Sequence, residues 1–150
     1  MTRLAAVRTL RTPSLTLVAL LGAAVAWPAP AAATPATGVS AEVLAESTVE
    51  GVHYVTRELT IAPGGSTGWH WHPGQVYGVI RQGTLTHYGS DCAVDGVYAT
   101  GNPITERSGP GYVHLGRNLG FEPLVMWVGY IEPAGEPLAN EVPNPDCPFE

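Results

Sequence analysis

Two of the five histidines, His70 and His72, flank a single tryptophan in the run His70-Trp71-His72. On an extended strand residues i and i+2 point to the same face, about 6–7 Å apart along the chain, so both imidazoles can converge on one metal ion while Trp71 faces away. Neutral imidazole binds first-row divalent metals, and affinity order alone does not decide whether Fe, Mn, Ni, Zn, Cu or Co occupies such a pair. Neither Cys92 nor Cys147 has a second Cys or a His at zinc-site spacing, so a disulfide between them is favoured over the alternative of free thiols or a Cys ligand. By spacing alone, the histidine pair stays open between metal coordination and two polar residues beside a turn.

The elements that must position these side chains are strands. From about Val49 to Ile131 short extended runs alternate with turn residues, and no stretch has a 3.6-residue apolar period. The first run, Val52 to Ile61, is closed by Pro63-Gly64-Gly65. The next two, Gly68 to His72 and Val76 to Arg81, are predicted to form a hairpin across Pro73-Gly74, a natural type II turn pair. Further runs follow at Thr84–Tyr88, Val97–Thr100, Ile104–Glu106, Tyr112–Leu115 and Leu124–Ile131. About eight short strands in this span predict an all-β barrel or jelly roll.

The segment PGGSTGWHWHPGQVYGVIRQGTL resembles the first motif of the cupin superfamily, G-x5-H-x-H-x3,4-E-x6-G, with Gly64, His70, His72 and Gly83 in place. GYVHLGRN resembles the second motif, G-x5-P-x-G-x2-H-x3-N, at Gly111, His114 and Asn118; Gly109 stands for its proline and Pro103 for its first glycine. The resemblance covers roughly residues 49–131. The whole chain is similar to small secreted actinobacterial cupins ending in a Cys-Pro-Phe tail, as Cys147-Pro148-Phe149 does here. It implies a double-stranded β-helix barrel in which His70, His72 and His114 hold one divalent transition-metal ion. The family's glutamate position falls on Val76, which has no lone pair, and Gln75 lies one residue out of phase. The implied inner shell is therefore three imidazoles with no carboxylate, leaving the metal its full charge and up to three open positions for an anionic or chelating ligand.

Outside the barrel the chain divides by composition. Residues 1–33 read as a secretory signal peptide: Arg3, Arg8 and Arg11 precede the apolar run Leu15 to Ala26, and Ala31-Ala32-Ala33 allows cleavage before Thr34. Ala24-Val25-Ala26 offers a second cut before Trp27. Residues 34–48 read as an N-terminal arm or linker, residues 49–132 as the barrel, and residues 133–150 as a Pro-rich tail. In an oxidising compartment Cys92 and Cys147 are expected to pair and tie that tail down, a bridge that chain-entropy reasoning values at about 4 kcal/mol. After cleavage, Arg57, Arg81, Arg107 and Arg117 face all thirteen acidic residues, which excludes a basic nucleic-acid footprint. No second apolar run would hold the mature chain in a membrane.

His53 shares the alternation of Val55, Leu59 and Ile61, and His87 shares a face with Leu85, so each is either a pocket residue or a packing histidine. Asn118 is expected to secure the turn after His114. Trp69, Trp71 and Trp127 are expected to pack, and alternation turns Tyr77 and Tyr112 away from the ligands. Two classes of function stay open. One is a metal-binding cupin, including a dioxygenase-like enzyme acting on a small chelating organic substrate. The other is a metal-free module for a small ligand. The resemblance also leaves a homodimer open, through edge strands or exchange of residues 34–48.

Overall fold

A computed structural model describes residues 32–150, so residues 1–31 of the expected signal segment, with the alternative cut before Trp27, lie outside the described residues. Ten strands and no helix make up what is described: β1 (Thr37–Val49), β2 (Val52–Ser66), β3 (His70–Trp71), β4 (Gln75–Gln82), β5 (Thr84–Gly89), β6 (Val94–Ala99), β7 (Pro103–Glu106), β8 (His114–Arg117), β9 (Leu124–Pro133) and β10 (Asn140–Glu141). Neighbouring strands run antiparallel in two groups, β1-β2-β9-β4-β7 and β10-β3-β8-β5-β6, joined where Ser66 of β2 meets Arg117 of β8. The result is an all-β, nearly closed barrel.

The chain turns this corner inside β2. Pro63-Gly64-Gly65 does not close the strand as expected but bends it from one sheet to the other. Gly64 has a φ of 76°, and a Cβ on Gly65 would lie 2.9 Å from backbone oxygens of Ala62 and Thr37. Asn118 secures the same corner by donating to the carbonyls of Ile61 and Glu122, both at 2.8 Å, while its Oδ1 accepts from Gly120.

The hairpin expected across Pro73-Gly74 does not form. β3 pairs with β8 and β10, whereas β4 pairs with β9 and β7, so the two runs lie in opposite sheets. Period-two alternation looks the same whether a strand's partner is the next run or one across the barrel. Gly74 is needed for close approach, since a Cβ there would lie 2.0 Å from the Ile131 carbonyl oxygen; its φ is not positive, so a type II turn is not what places it.

Residues 37–48 of the segment expected as an arm or linker form, with Val49, strand β1, paired along β2 from Val39–Ile61 to Val49–Val52. Glu50 and Gly51, at φ 48° and 81°, make the two-residue turn that suits such a hairpin. β1 is mostly exposed and held by its backbone ladder, so its small and polar residues carry little pattern to read.

The inner faces are unequal. β2, β4, β7 and β9 contribute nine apolar core residues, Val55, Ile61, Val76, Ile80, Ile104, Leu124, Met126, Val128 and Tyr130, each worth roughly 1.5–3 kcal/mol when fully buried. The facing sheet contributes histidines: His70 from β3, His87 from β5 and His114 from β8, all buried. Its outer face is covered by the C-terminal tail. Phe149 lies 4.6 Å from Tyr88 and 6.2 Å from Trp69, ring centre to ring centre, Arg117 stacks on Phe149, and Cys147 is bonded to Cys92. Among the described residues no helix is long and apolar enough to cross a membrane.

Candidate metal centre

His70 and His114 stand directly opposite each other in the β3–β8 ladder, and His72 follows just past the end of β3. Three backbone carbonyls fix the rings. His70 Nδ1 donates to Gly68 O at 2.9 Å, His72 Nδ1 to Leu138 O at 2.5 Å, and His114 Nδ1 to Tyr112 O at 2.9 Å. With each Nδ1 proton committed outward, the neutral rings direct their Nε2 lone pairs inward. His70 Nε2 and His72 Nε2 are 3.1 Å apart, and His114 Nε2 is buried without a hydrogen-bond partner. Lone pairs that close repel unless a positive charge, a proton or a metal ion, sits among them.

A fourth donor completes the group, and it is a carboxylate. Glu106 Oε2 lies 3.0 Å from His72 Nε2 and 3.5 Å from His114 Nε2. One ligand atom from each of His70, His72, His114 and Glu106 lies within 4.8 Å of all the others, and all four residues are buried. The expected carboxylate-free shell is thereby corrected. Glu106 is the direct cross-strand partner of Val76, the position where the motif expects glutamate, so the acid has moved one strand across the same inner face. Motif spacing follows one strand and cannot register a donor supplied by the next. Gln75 donates to the Glu106 backbone oxygen at 2.6 Å, and neither it nor Val76 joins the group.

Electrostatics follow from this packing. Burial, with the nearby His114 and His72, lowers the His70 pKa to about 3, leaving a neutral ring at physiological pH. Burial also opposes ionisation of Glu106, but the surrounding imidazoles of His114, His72 and His87 outweigh it and hold the carboxyl well below its usual range. His72 goes the other way: burial would lower it, yet the bond to Glu106 leaves it raised. The group thus offers three imidazoles and one negative charge, and on a six-coordinate ion it would leave two open positions rather than three.

His87 lies behind this group, its ring 5.0 Å from that of His114, its Nδ1 2.5 Å from Asp95 and its Nε2 3.6 Å from Glu106. It is placed to orient Glu106 and not to join the four donors. His53 sits at the rim, 2.8 Å from Glu46. Tyr77 points outward at 50% exposure, as alternation predicts, whereas the Tyr112 ring lies 5.0 Å from His114. Trp69 is fully buried under the tail, Trp71 is half-buried in β3, and Trp127 is exposed under Arg81.

A cavity of about 210 Å³ opens beside the group. His70, His72 and Glu106 form one end, and Leu59, Leu85, Met126, Val128 and Tyr130 form an apolar wall. Replacing Glu106 by Gln keeps the shape and removes the charge. Zinc affinity is expected to fall at least as far as the roughly 10–100-fold typical of an outer-shell change. Competition against a chelator of known affinity measures it, and a loss under about tenfold would place Glu106 outside the inner shell.

No protein-family model and no curated protein matches the sequence. Solved structures do. The polyketide cyclase RemF from Streptomyces resistomycificus is 19% identical, with 72% of this chain and 74% of that one covered at a TM-score of 0.58. A Klebsiella pneumoniae protein with a double-stranded β-helix domain is 19% identical over 69% and 84%, TM-score 0.54. A cupin domain from Bordetella pertussis is 25% identical over 63% and 94%, TM-score 0.51. With two antiparallel sheets closing on a histidine cluster at the motif positions, this chain has the fold of a cupin, the double-stranded β-helix barrel.

Proposed function

We propose that this chain is an exported metalloprotein that binds one divalent transition-metal ion through His70, His72, His114 and Glu106 and presents it to a small organic ligand in the adjoining cavity. The observation that supports this best is the convergence of three Nε2 lone pairs, each set by a backbone carbonyl on the far side of its ring, beside one ionised carboxylate. A metal held there supplies Lewis-acid or redox chemistry. The protein's part is to orient the donors, leave two positions free for a chelating ligand, and line the approach with apolar side chains. That apolar wall next to the open positions also supports a dioxygenase-like oxidoreductase as the enzymatic form of the same reading.

Metal content of the purified mature protein tests the first step, after loading with each first-row divalent ion and removing the excess. One equivalent per chain is expected. Uptake of none would leave a metal-free ligand-binding module. Oxygen consumption with catechol, thiol and flavonol compounds then tests the enzymatic form. Export is tested by the intact mass of protein from the culture medium, expected to begin at Thr34; a secreted species retaining Met1 would defeat it.

A further inference from the structure

We propose that the cavity beside the histidine group takes an organic cation, a one-ring apolar body carrying an ammonium group, and that Glu141 is the residue that recognises its charge. This deepens the proposed function, since the ligand site is the same cavity. In the β10-β3-β8 row Glu141 is the direct partner of His70, which in turn faces His114. Residues directly opposite in an antiparallel ladder present their side chains to the same face. Glu141 therefore extends the row of inward-facing groups to the exposed end of the sheet, where it lines the cavity. It does not join the four metal donors, and among the described residues no cationic side chain pairs with it.

The other polar side chains of the lining are committed, with one exception. Thr67 Oγ1 donates to Gly68 O at 3.2 Å and accepts from Gly116 N at 2.9 Å. His70 and His72 hold backbone carbonyls through Nδ1 and turn Nε2 toward Glu106 and the metal position. The exception is Tyr130, which is only 7% exposed, lines the apolar wall, and has no hydrogen-bond partner for its hydroxyl among the described residues. Burial and the nearby Glu106 carboxylate hold its phenol above the ordinary range, so the neutral hydroxyl keeps lone pairs that can accept from an ammonium N–H. No Arg lines the cavity and the chain contains no Lys. An anion entering beside Glu141 would meet like charge, whereas an ammonium gains a charge-assisted hydrogen bond there. A divalent ion offset by one carboxylate would repel that ammonium, which fixes the ligand's orientation: charge at Glu141, body along Leu59, Met126 and Val128, and far end toward the metal's open positions.

The probes are benzylamine, protonated at neutral pH, and benzyl alcohol, its uncharged counterpart of nearly equal size, titrated calorimetrically into protein incubated with zinc and freed of excess. Benzylamine is expected to bind at least about tenfold more tightly than the alcohol, a preference worth about 1.4 kcal/mol. Glu141→Gln should abolish that preference and Glu141→Asp retain part of it, with the thermal unfolding midpoint of each variant reporting that the barrel is intact. Equal affinity for the two probes, no saturable heat from benzylamine up to about 10 mM, or a preference unchanged in Glu141→Gln, as direct amine coordination to zinc would give, would overturn the assignment. A preference that depends on Glu141 in protein that takes up no zinc would retain the cation site and remove the metal reading; zinc uptake without the preference would do the reverse.

Discussion

Replacing His114 by alanine is expected to cost on the order of 10²–10³-fold in zinc affinity, from dividing the roughly 10–16 kcal/mol of a structural zinc site over four ligands. The same loss is expected for His70→Ala and His72→Ala. Gln75→Ala should leave stoichiometry at one, because that side chain bonds only to the Glu106 backbone. Acid should mimic the substitutions by a different route. Metal binding requires neutral imidazole, and His72, raised by Glu106 against the opposing effect of burial, holds its proton to higher pH than an ordinary histidine. His70, lowered to about 3, does not compete. Affinity should therefore fall as pH drops through the raised His72 value, beginning above pH 6.5 and by about tenfold per unit below it. In Glu106→Gln, which lacks the group that raises His72, this fall should begin at lower pH. Chelator competition between pH 5 and 8 measures both effects. A His114→Ala variant that keeps parental affinity, or an affinity flat across that range, would remove these residues from the inner shell.

The second large effect concerns the tail. Truncation after Glu136 removes the Cys92–Cys147 bond, worth about 4 kcal/mol on the chain-entropy view, and bares Trp69, Tyr88 and Leu115 on the outer face of the histidine sheet. Each exposed side chain adds a loss of about 1.5–3 kcal/mol. Against a total stability of roughly 5–15 kcal/mol, the truncated chain is expected to be largely unfolded near physiological temperature. The milder pair of changes, Cys92→Ser with Cys147→Ser, should lower the urea midpoint and leave a folded barrel. It should also weaken zinc binding by up to about 10–100-fold, because the tail supplies the Leu138 carbonyl that holds His72 and pairs Asn140 and Glu141 with β3. Unchanged zinc affinity in a destabilised double variant would show that β10 pairing alone keeps Leu138 in place.

Much of this protein is legible in its sequence because the signals are local. Strand alternation puts His70 and His72 on one face, the turn residues mark the strands, and the second motif places His114; the structure brings those three rings together. Asn118, Trp69 and the Cys92–Cys147 pair likewise follow from residue type and near neighbours. What the sequence does not show is who pairs with whom. β3 and β4 read as a hairpin but belong to opposite sheets, and β1 is held by its ladder without an apolar pattern of its own. Glu106 enters the site only because β7 lies against β4 in the register that sets it opposite Val76, and Leu138 reaches His72 across 66 residues of chain. Period-two alternation assigns a side chain to a face, while register and sheet order, set by contacts distant in sequence, decide what it meets there.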